Sequence, residues 1–232
     1  MNYIENIYIC IAAPLIIAIL SLWGGERHQN GKARGVRAAA VVRRRSMVFI
    51  LAGMTSCLLS SYISTFIAMV LNADRLTATL EITPMVEELM KFVPVLFYLL
   101  VFEPANKKES AGSLLFVSVG FATLENICYL TANGASDILL LTVRGFGTGA
   151  MHVVCGALVS IGLAYMWDEF WLKFAGTAGL ISLAATYHGI YNILVSQEGI
   201  VAWIGYAIPM LTAVLIRLLG RLEKFNLAKP GA

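Results

Sequence analysis

Seven apolar stretches, each long enough to cross a lipid bilayer, constrain the fold of this chain more than any other feature. A helix needs about 20 predominantly apolar residues to cross the hydrocarbon core. Only 13% of the 232 residues are charged, against about 25% in soluble globular proteins. We therefore predict an all-α, polytopic membrane helix bundle that forms a single domain over residues 1–232. The predicted spans cover roughly 3–23, 46–72, 81–102, 111–132, 138–166, 174–196 and 199–219.

The basic residues between these spans lie almost entirely on one side of the predicted bundle. Fourteen Lys and Arg residues fall on one set of connectors, and the opposite set holds only Arg75. Short cytoplasmic loops carry such an excess, so we predict the N-terminus outside and the C-terminus in the cytoplasm. The basic loop 26–45 is explained by this role beside anionic membrane lipids, and we predict no nucleic-acid partner. The stretch 3–23 has an acidic start and no basic segment before it, which indicates a retained helix rather than a signal peptide.

Cysteine and glycine are both interpreted as packing residues. The cysteines lie far apart in apolar runs without a CxxC pair, which favours membrane packing over a disulfide framework or a zinc knuckle. Glycines crowd the fifth span, where they would allow close helix approach. The cysteines are Cys10, Cys57, Cys128 and Cys155, and the glycines are Gly145, Gly147, Gly149 and Gly156.

A few ionisable residues remain at membrane depth once the connectors are set aside. Each costs roughly 2.5–3.5 kcal/mol at mid-bilayer, so such residues are usually functional or paired. They are Glu87, Glu88, Lys91, Glu125, Arg144, His152 and His188. Three pairs at i,i+4 each share a helix face. These pairs are Glu87 with Lys91, Glu125 with Tyr129, and His188 with Asn192.

The ionisable residues also share one depth. Counted inward from the outer ends of their spans at 1.5 Å per residue, Glu87, Glu125 and His188 each lie on the order of 10 Å below the outer surface. His152 reaches the same level if its span starts near Gly145. We therefore predict that four helices surround one hydrated cavity in the outer leaflet.

The start of the third span carries a helix-start signal. Thr83 followed by Pro84 predicts an N-cap and a proline at the first helical position. Glu87 and Glu88 would then lie near the positive end of the helix dipole, which favours ionised carboxylates.

Two histidines and three glutamates at one depth are the side chains that proton transfer or the binding of a metal-bound water requires. The sequence has no HExxH, GxSxG or aspartyl pair, so zincin, hydrolase-elbow and aspartyl mechanisms lack support. Each group also has a structural interpretation by itself. A histidine can bridge helices by a hydrogen bond, Glu87 can pair with Lys91, and Arg144 can extend to the outer interface.

Four short motifs occur in order in successive spans. They are EExxK (Glu87, Glu88, Lys91), FxxxEN (Phe121, Glu125, Asn126), HxxxG (His152, Gly156) and HxxxN (His188, Asn192). Together they resemble the motifs of PrsW-type intramembrane proteases, relatives of the CAAX-protease and bacteriocin-processing superfamily. The resemblance covers about residues 80–195, and the accessory helices within 1–72 and 199–219 carry no motif. At one position CAAX proteases have a histidine where this chain has Glu125.

The resemblance implies an intramembrane endopeptidase of a bacterial plasma membrane, making the first extracytoplasmic cut in an anti-sigma factor or similar single-span protein. It implies that Glu87 activates water and that His188 with Asn192 binds the developing oxyanion. Glu88 would share or relay the proton, since adjacent carboxylates titrate as a coupled pair. Glu125 and His152 would complete the catalytic set as proton carriers or as metal ligands.

The sequence leaves open both whether a metal is bound and which class of function the protein has. Zinc takes histidine and carboxylate ligands, and Glu125, His152 and His188 would supply such a set, with Glu87 as the base. A metal-free site with glutamate-activated water is also chemically sufficient. Two other classes fit the inventory: a proton-coupled or metal-ion transporter, and a non-catalytic protein that binds a single-span partner through small-residue faces. The single-leaflet site and the lack of paired repeats argue against transport.

Overall fold

All regular structure in the described part of the chain is helical. A computed structural model describes residues 36–104, 111–133 and 138–227, together with Ile16. Within these ranges no strand occurs, which confirms the predicted all-α class. The predicted span 3–23 and Cys10 lie outside the described residues. The long helices are α1 (Val36–Val70), α2 (Thr83–Val101), α3 (Ser113–Asn133), α4 (Ile138–Met166), α5 (Thr177–Val195) and α6 (Ile200–Leu227).

Five helical segments among the described residues are long and apolar enough to cross a membrane. Their bounds lie within a few residues of five predicted spans. Helix α2 is not one of these five segments, because it carries the three charged residues Glu87, Glu88 and Lys91. It packs against α1, α3 and α5. The number of spans and their orientation stay predictions. The five segments are Arg45–Val70, Ser113–Ala132, Thr142–Met166, Leu172–Val195 and Ile200–Leu219.

Helix α4 is the central element of the bundle and α6 is peripheral. The most apolar window of α4 is 61% buried, whereas that of α6 is 11% buried. Contacts with α3, α5 and α6 surround α4, which places His152, near its middle, completely out of solvent. The cysteines Cys57, Cys128 and Cys155 are free thiols, so the described part of the chain contains no disulfide.

Glycines allow the closest helix approaches. A Cβ atom built on Gly53 of α1 would lie 2.0 Å from the carbonyl oxygen of Val117 in α3, so no other residue fits this crossing. The predicted role of the α4 glycines is confirmed at two positions. A Cβ on Gly147 would meet Tyr206 of α6, and one on Gly156 would lie 2.2 Å from the hydroxyl of Ser118.

The prediction that Thr83 caps α2 is wrong. Helical backbone begins earlier, at the short turn Arg75–Thr77, and continues through a π-helical turn, Ala78–Ile82, into α2. The cap is Asp74, whose carboxylate accepts from the backbone N–H of Thr77 at 2.8 Å, a bond that holds the pKa of Asp74 below its usual range. The positive end of the helix dipole therefore lies about three turns before the glutamates, and it stabilises them less than predicted.

Candidate active site

Four helices bring the predicted polar residues into one cluster. Helix α2 carries two glutamates and a lysine, α3 carries a glutamate, and α4 and α5 each carry a histidine. The two imidazole rings lie edge to face with their centroids 5.1 Å apart. The convergence that was predicted from a common depth is therefore present in the fold. The residues of the cluster are Glu87, Glu88, Lys91, Glu125, His152 and His188.

Glu88 and Lys91 form the centre of this cluster. The ammonium nitrogen of Lys91 lies 2.6 Å from Oε1 of Glu88, and both side chains are almost fully buried. A buried charge is costly unless it is paired and hydrogen-bonded, and here each charge compensates the other. Two arms of hydrogen-bonded side chains extend from this pair.

The first arm, which we call the open arm, consists of Glu88, His188 and Glu87. Nδ1 of His188 lies 2.9 Å from Oε1 of Glu88, and a carboxylate can only accept. The imidazole therefore donates from Nδ1, and a neutral ring keeps its lone pair on Nε2. Nε2 lies 3.8 Å from Oε2 of Glu87. That oxygen is buried and has no hydrogen-bond partner among the described residues.

The second arm, which we call the filled arm, runs from Lys91 through His152 and Glu125 to Arg144. Nζ of Lys91 lies 3.0 Å from Nδ1 of His152. An ammonium group can only donate, so Nδ1 accepts and Nε2 carries the proton, which it donates to Oε2 of Glu125. Nη2 of Arg144 lies 3.6 Å from the other carboxylate oxygen of Glu125. Both nitrogens of His152 and both oxygens of Glu125 are thus engaged.

Arg144 turns toward the cluster rather than extending to the interface. Its guanidinium carbon lies 3.5 Å from the centroid of the Tyr129 ring, and its side chain is only 18% exposed. Stacking on an aromatic face favours a cation most when the pair is desolvated. Tyr129 and Glu125, which share one face of α3, therefore both contact Arg144 and fix its position.

Asn192 lies away from the open arm. Its side-chain nitrogen donates to the backbone carbonyl of Thr79 at 3.2 Å, which joins α5 to the π-helical turn before α2. This bond gives Asn192 a structural contact that the sequence did not indicate. The oxyanion role of His188 with Asn192 stays a prediction, and Nε2 of His188 can donate to an oxyanion only after it has taken up a proton.

Comparison with known proteins agrees with the order of the motifs. The sequence model of a family described as "PrsW family intramembrane metalloprotease" matches residues 30–219, which is most of the chain. The chain belongs to the PrsW family. No solved structure matches it. Membership makes the chain an integral membrane protease and confirms the resemblance that its four motifs carry.

The description of the PrsW family as metalloproteases raises the question of which residues could hold an ion. Among the described residues, donor atoms of Glu87, His152 and His188 lie within 4.8 Å of one another. Two imidazoles and a carboxylate form a recognised zinc donor set. The predicted set had Glu125 in place of Glu87, and that set stays a prediction.

These donors fit a metal ion if they move closer together and His152 gives up one of its present partners. Glu87 brings an unpartnered carboxylate oxygen, and His188 donates its other N–H to Glu88, as metal-bound histidines commonly do. Donor atoms around zinc at about 2.0–2.2 Å lie closer together than they do here. Whichever nitrogen of His152 becomes a ligand, it must first release Lys91 or Glu125.

Three neighbours of the histidines in this PrsW-family chain were given no role by sequence reasoning. The Phe121 ring lies against His152, with centroids 5.1 Å apart, and beneath the ammonium of Lys91. Tyr191 and Thr148 share a hydrogen bond of 2.7 Å beside them. Thr148 lies four residues before His152 and Tyr191 three residues after His188, so helical spacing from the histidines is the signal that could have found them.

Proposed function

We propose that this intramembrane protease cleaves a single-span membrane protein, an anti-sigma factor or a protein of similar build, within the outer leaflet. One observation carries the proposal. Glu87 has a buried carboxylate oxygen without a hydrogen-bond partner in the described part of the chain, and it lies 3.8 Å from a nitrogen of His188, whose tautomer is fixed by Glu88. An oriented carboxylate beside an imidazole lone pair is the arrangement needed to accept protons from water.

In the proposed mechanism Glu87 is the general base. A water molecule spans 3.8 Å by donating one proton to Glu87 and the other to Nε2 of His188. Its lone pair then points away from both acceptors, toward a scissile carbonyl carbon. Glu87 takes the proton during attack and returns it to the leaving amine. Glu88, held ionised by Lys91, keeps the His188 ring in the tautomer that accepts.

The metal would add to this arrangement. Glu87, His152 and His188 would hold it, and it would supply Lewis-acid activation of water and of the scissile carbonyl. If Nε2 of His152 were the ligand, Glu125 would lose its hydrogen bond to the ring and could take over proton transfer.

The test of the proposed function is cleavage of a synthetic single-span peptide by the purified, reconstituted protein. Glu87→Gln keeps size and removes the base, so the rate should fall about 10²–10⁴-fold. Glu81→Gln is the matched control, because Glu81 is exposed in the π-helical turn of the same helical segment. Equal rates for the two variants would refute a catalytic Glu87. Tight peptide binding without cleavage by the unmodified protein would favour a non-catalytic partner-binding role.

Metal dependence is tested on the same preparation. Chelator should abolish cleavage and added zinc should restore it, with about one metal ion per chain by elemental analysis. Full activity of a metal-free preparation would leave the site driven by glutamate alone.

The orientation, N-terminus outside and C-terminus in the cytoplasm of a bacterial plasma membrane, rests on the charge asymmetry of the connectors. Lys229→Cys is introduced into a variant whose four native cysteines are replaced by alanine. A membrane-impermeant thiol reagent added to intact cells should leave this cysteine unlabelled. Efficient labelling would reverse the topology and move the site to the cytoplasmic leaflet.

A further inference from the structure

A groove with a volume of about 710 Å³ opens between the end of α1 and the segment that leads into α2. Its walls combine small residues, hydroxyl and carboxamide side chains, and the exposed side chain of Met69. The residues that matter here are Ser64, Thr65, Ala68, Asn72, Ala78 and Thr83. Ser64 lies in α1 and Asn72 in the turn two residues after its end, so the groove extends over at most about 12 Å along the helix axis.

The groove lies one helical turn from Glu87. Thr83 lines the groove and precedes Glu87 by four residues, so the two side chains lie on one face of α2, about 6 Å apart along the axis. Glu87 is 13% exposed, whereas Glu88 next to it is 3% exposed. Glu87 therefore lies about one helical turn beyond the groove residue Thr83, and it is more exposed than the carboxylate of the ion pair next to it.

The chemistry of the groove differs from that of the surrounding surface. Large apolar side chains such as Tyr62, Phe66 and Val70 of α1 are exposed around it, as expected for a surface facing lipid. A helical partner satisfies its own backbone hydrogen bonds in the membrane and has no need of polar groups, whereas an unwound segment must find partners for every N–H and C=O. The hydroxyls of Ser64 and Thr65 donate to the backbone carbonyl of Ser61 and keep their acceptor lone pairs, and the carboxamide of Asn72 can supply both donors and acceptors.

One wall of the groove is held in place by the helix that bears His188. Asn192 of α5 donates to the carbonyl oxygen of Thr79 in the π-helical turn. Gly189, next to His188, allows the same turn to come close, since a Cβ atom there would lie 2.9 Å from the carbonyl oxygen of Leu80. The groove wall and the open arm are therefore carried by the same pair of elements.

We propose that this groove binds the unwound, extended segment of the substrate and delivers its scissile bond to Glu87. The inference rests on the proposed protease function and adds the substrate's conformation to it. At about 3.3 Å per extended residue, 12 Å accommodates about four residues. The small side chains of Ala68 and Ala78 leave room for the side chains of these four residues.

The experiment is photo-crosslinking to a defined probe in reconstituted full-length protein. The probe is a synthetic single-span peptide with Gly-Ser-Asn-Gly in its outer third, and its comparison peptide has four leucines there. A benzophenone amino acid replaces Thr65 in a Glu87→Gln background, so that the probe is not consumed. Ser61, exposed one turn earlier on α1 and outside the groove, carries the control crosslinker.

Capture of the unwound probe from position 65 should exceed both capture of the leucine peptide and capture from position 61 about ten-fold. Equal capture of the two peptides, capture of neither, or crosslinks only to residues 3–23 or to a second copy of the chain would each overturn the proposal. In the active protein, Ala68→Trp should raise KM about ten-fold with little change in kcat, and Ser61→Trp should change neither more than about two-fold.

The two levels of inference fail separately. Specific capture from position 65 by a protein that never cleaves would keep the groove and reject the protease mechanism. Cleavage that depends on Glu87 without capture from position 65 would keep the mechanism and reject the groove.

Discussion

The open arm and the filled arm contain the same kinds of side chain at the same depth, yet they differ in which atoms are available. In the open arm, Glu87 keeps an oxygen without a partner, and Nε2 of His188 faces it. In the filled arm, His152 uses both ring nitrogens, one oxygen of Glu125 accepts a hydrogen bond and the other forms an ion pair with Arg144. The partners that a group already has, rather than its residue type, therefore distinguish a group that can react from a group that holds its neighbours in position.

The difference between the arms originates in Lys91. Its ammonium donates to Glu88 and to His152 at once. A donor on His152 places the ring proton on the far side, toward Glu125, whereas a carboxylate on His188 draws the ring proton toward itself and leaves the far side open. The buried ion pair, with its cation against His152 and its carboxylate against His188, thus gives the two histidines opposite tautomers.

The largest effect is expected from Lys91→Met, which breaks both arms at their common centre. It leaves the carboxylate of Glu88 buried without its cation, and breaking a buried pair in this way costs about 3–5 kcal/mol of unfolding free energy. Thermal unfolding in detergent measures the loss. Lys173→Met, a partly exposed lysine beside Trp167, is the control. The double variant Glu88→Gln/Lys91→Met should recover part of the stability, and a stable single variant would mean that the pair contributes little.

A smaller effect is expected from Glu125→Gln, which compares the filled arm with the open one. A glutamine oxygen still accepts from Nε2 of His152, so cleavage should fall about ten-fold, against about 10²–10⁴-fold for Glu87→Gln. The bound metal, measured by elemental analysis, should follow Glu87 rather than Glu125. If Glu125→Gln loses both the metal and the activity, the predicted ligand set of Glu125, His152 and His188 is restored.

The smallest effect is expected at the end of the filled arm. Arg144→Lys keeps the charge near Glu125 but loses the planar stack on Tyr129, which is worth about 1–2 kcal/mol at a mostly buried site. A few-fold fall in cleavage and a small fall in the unfolding midpoint are expected. Tyr129→Leu should reproduce the change, because it removes the other half of the stack. A loss as large as that of Glu87→Gln would make Arg144 part of the chemistry.

Sequence reasoning was sufficient for the helices and for the membership of the cluster. The apolar spans predict five segments to within a few residues, since the hydrocarbon thickness sets their length. The charges within them had to converge because lipid offers them no partners. Periodicity also placed Glu125 and Tyr129 on one face, where they hold Arg144.

Sequence reasoning failed where a decision depended on neighbours from other helices. Thr83 and Pro84 have the composition of a helix start, but the π-helical turn before them keeps the backbone helical from Arg75 onward. Asn192 shares a face with His188, yet its donor reaches Thr79 on another element. A local motif predicts what a side chain can do, and its partners determine what it does.

The sequence by itself determined that this protein is a helical membrane bundle of the PrsW family, with ionisable residues gathered at one level. Backbone hydrogen bonding in lipid and the cost of buried charge act on any chain of this composition, so no tertiary information was needed. The tertiary structure alone decided which atoms remain open. Glu87, rather than Glu125, faces His188 because Lys91 and Arg144 approach from other directions and engage the rest. Hydrogen-bond geometry acts over about 3 Å, and only the packing of four helices places atoms that closely.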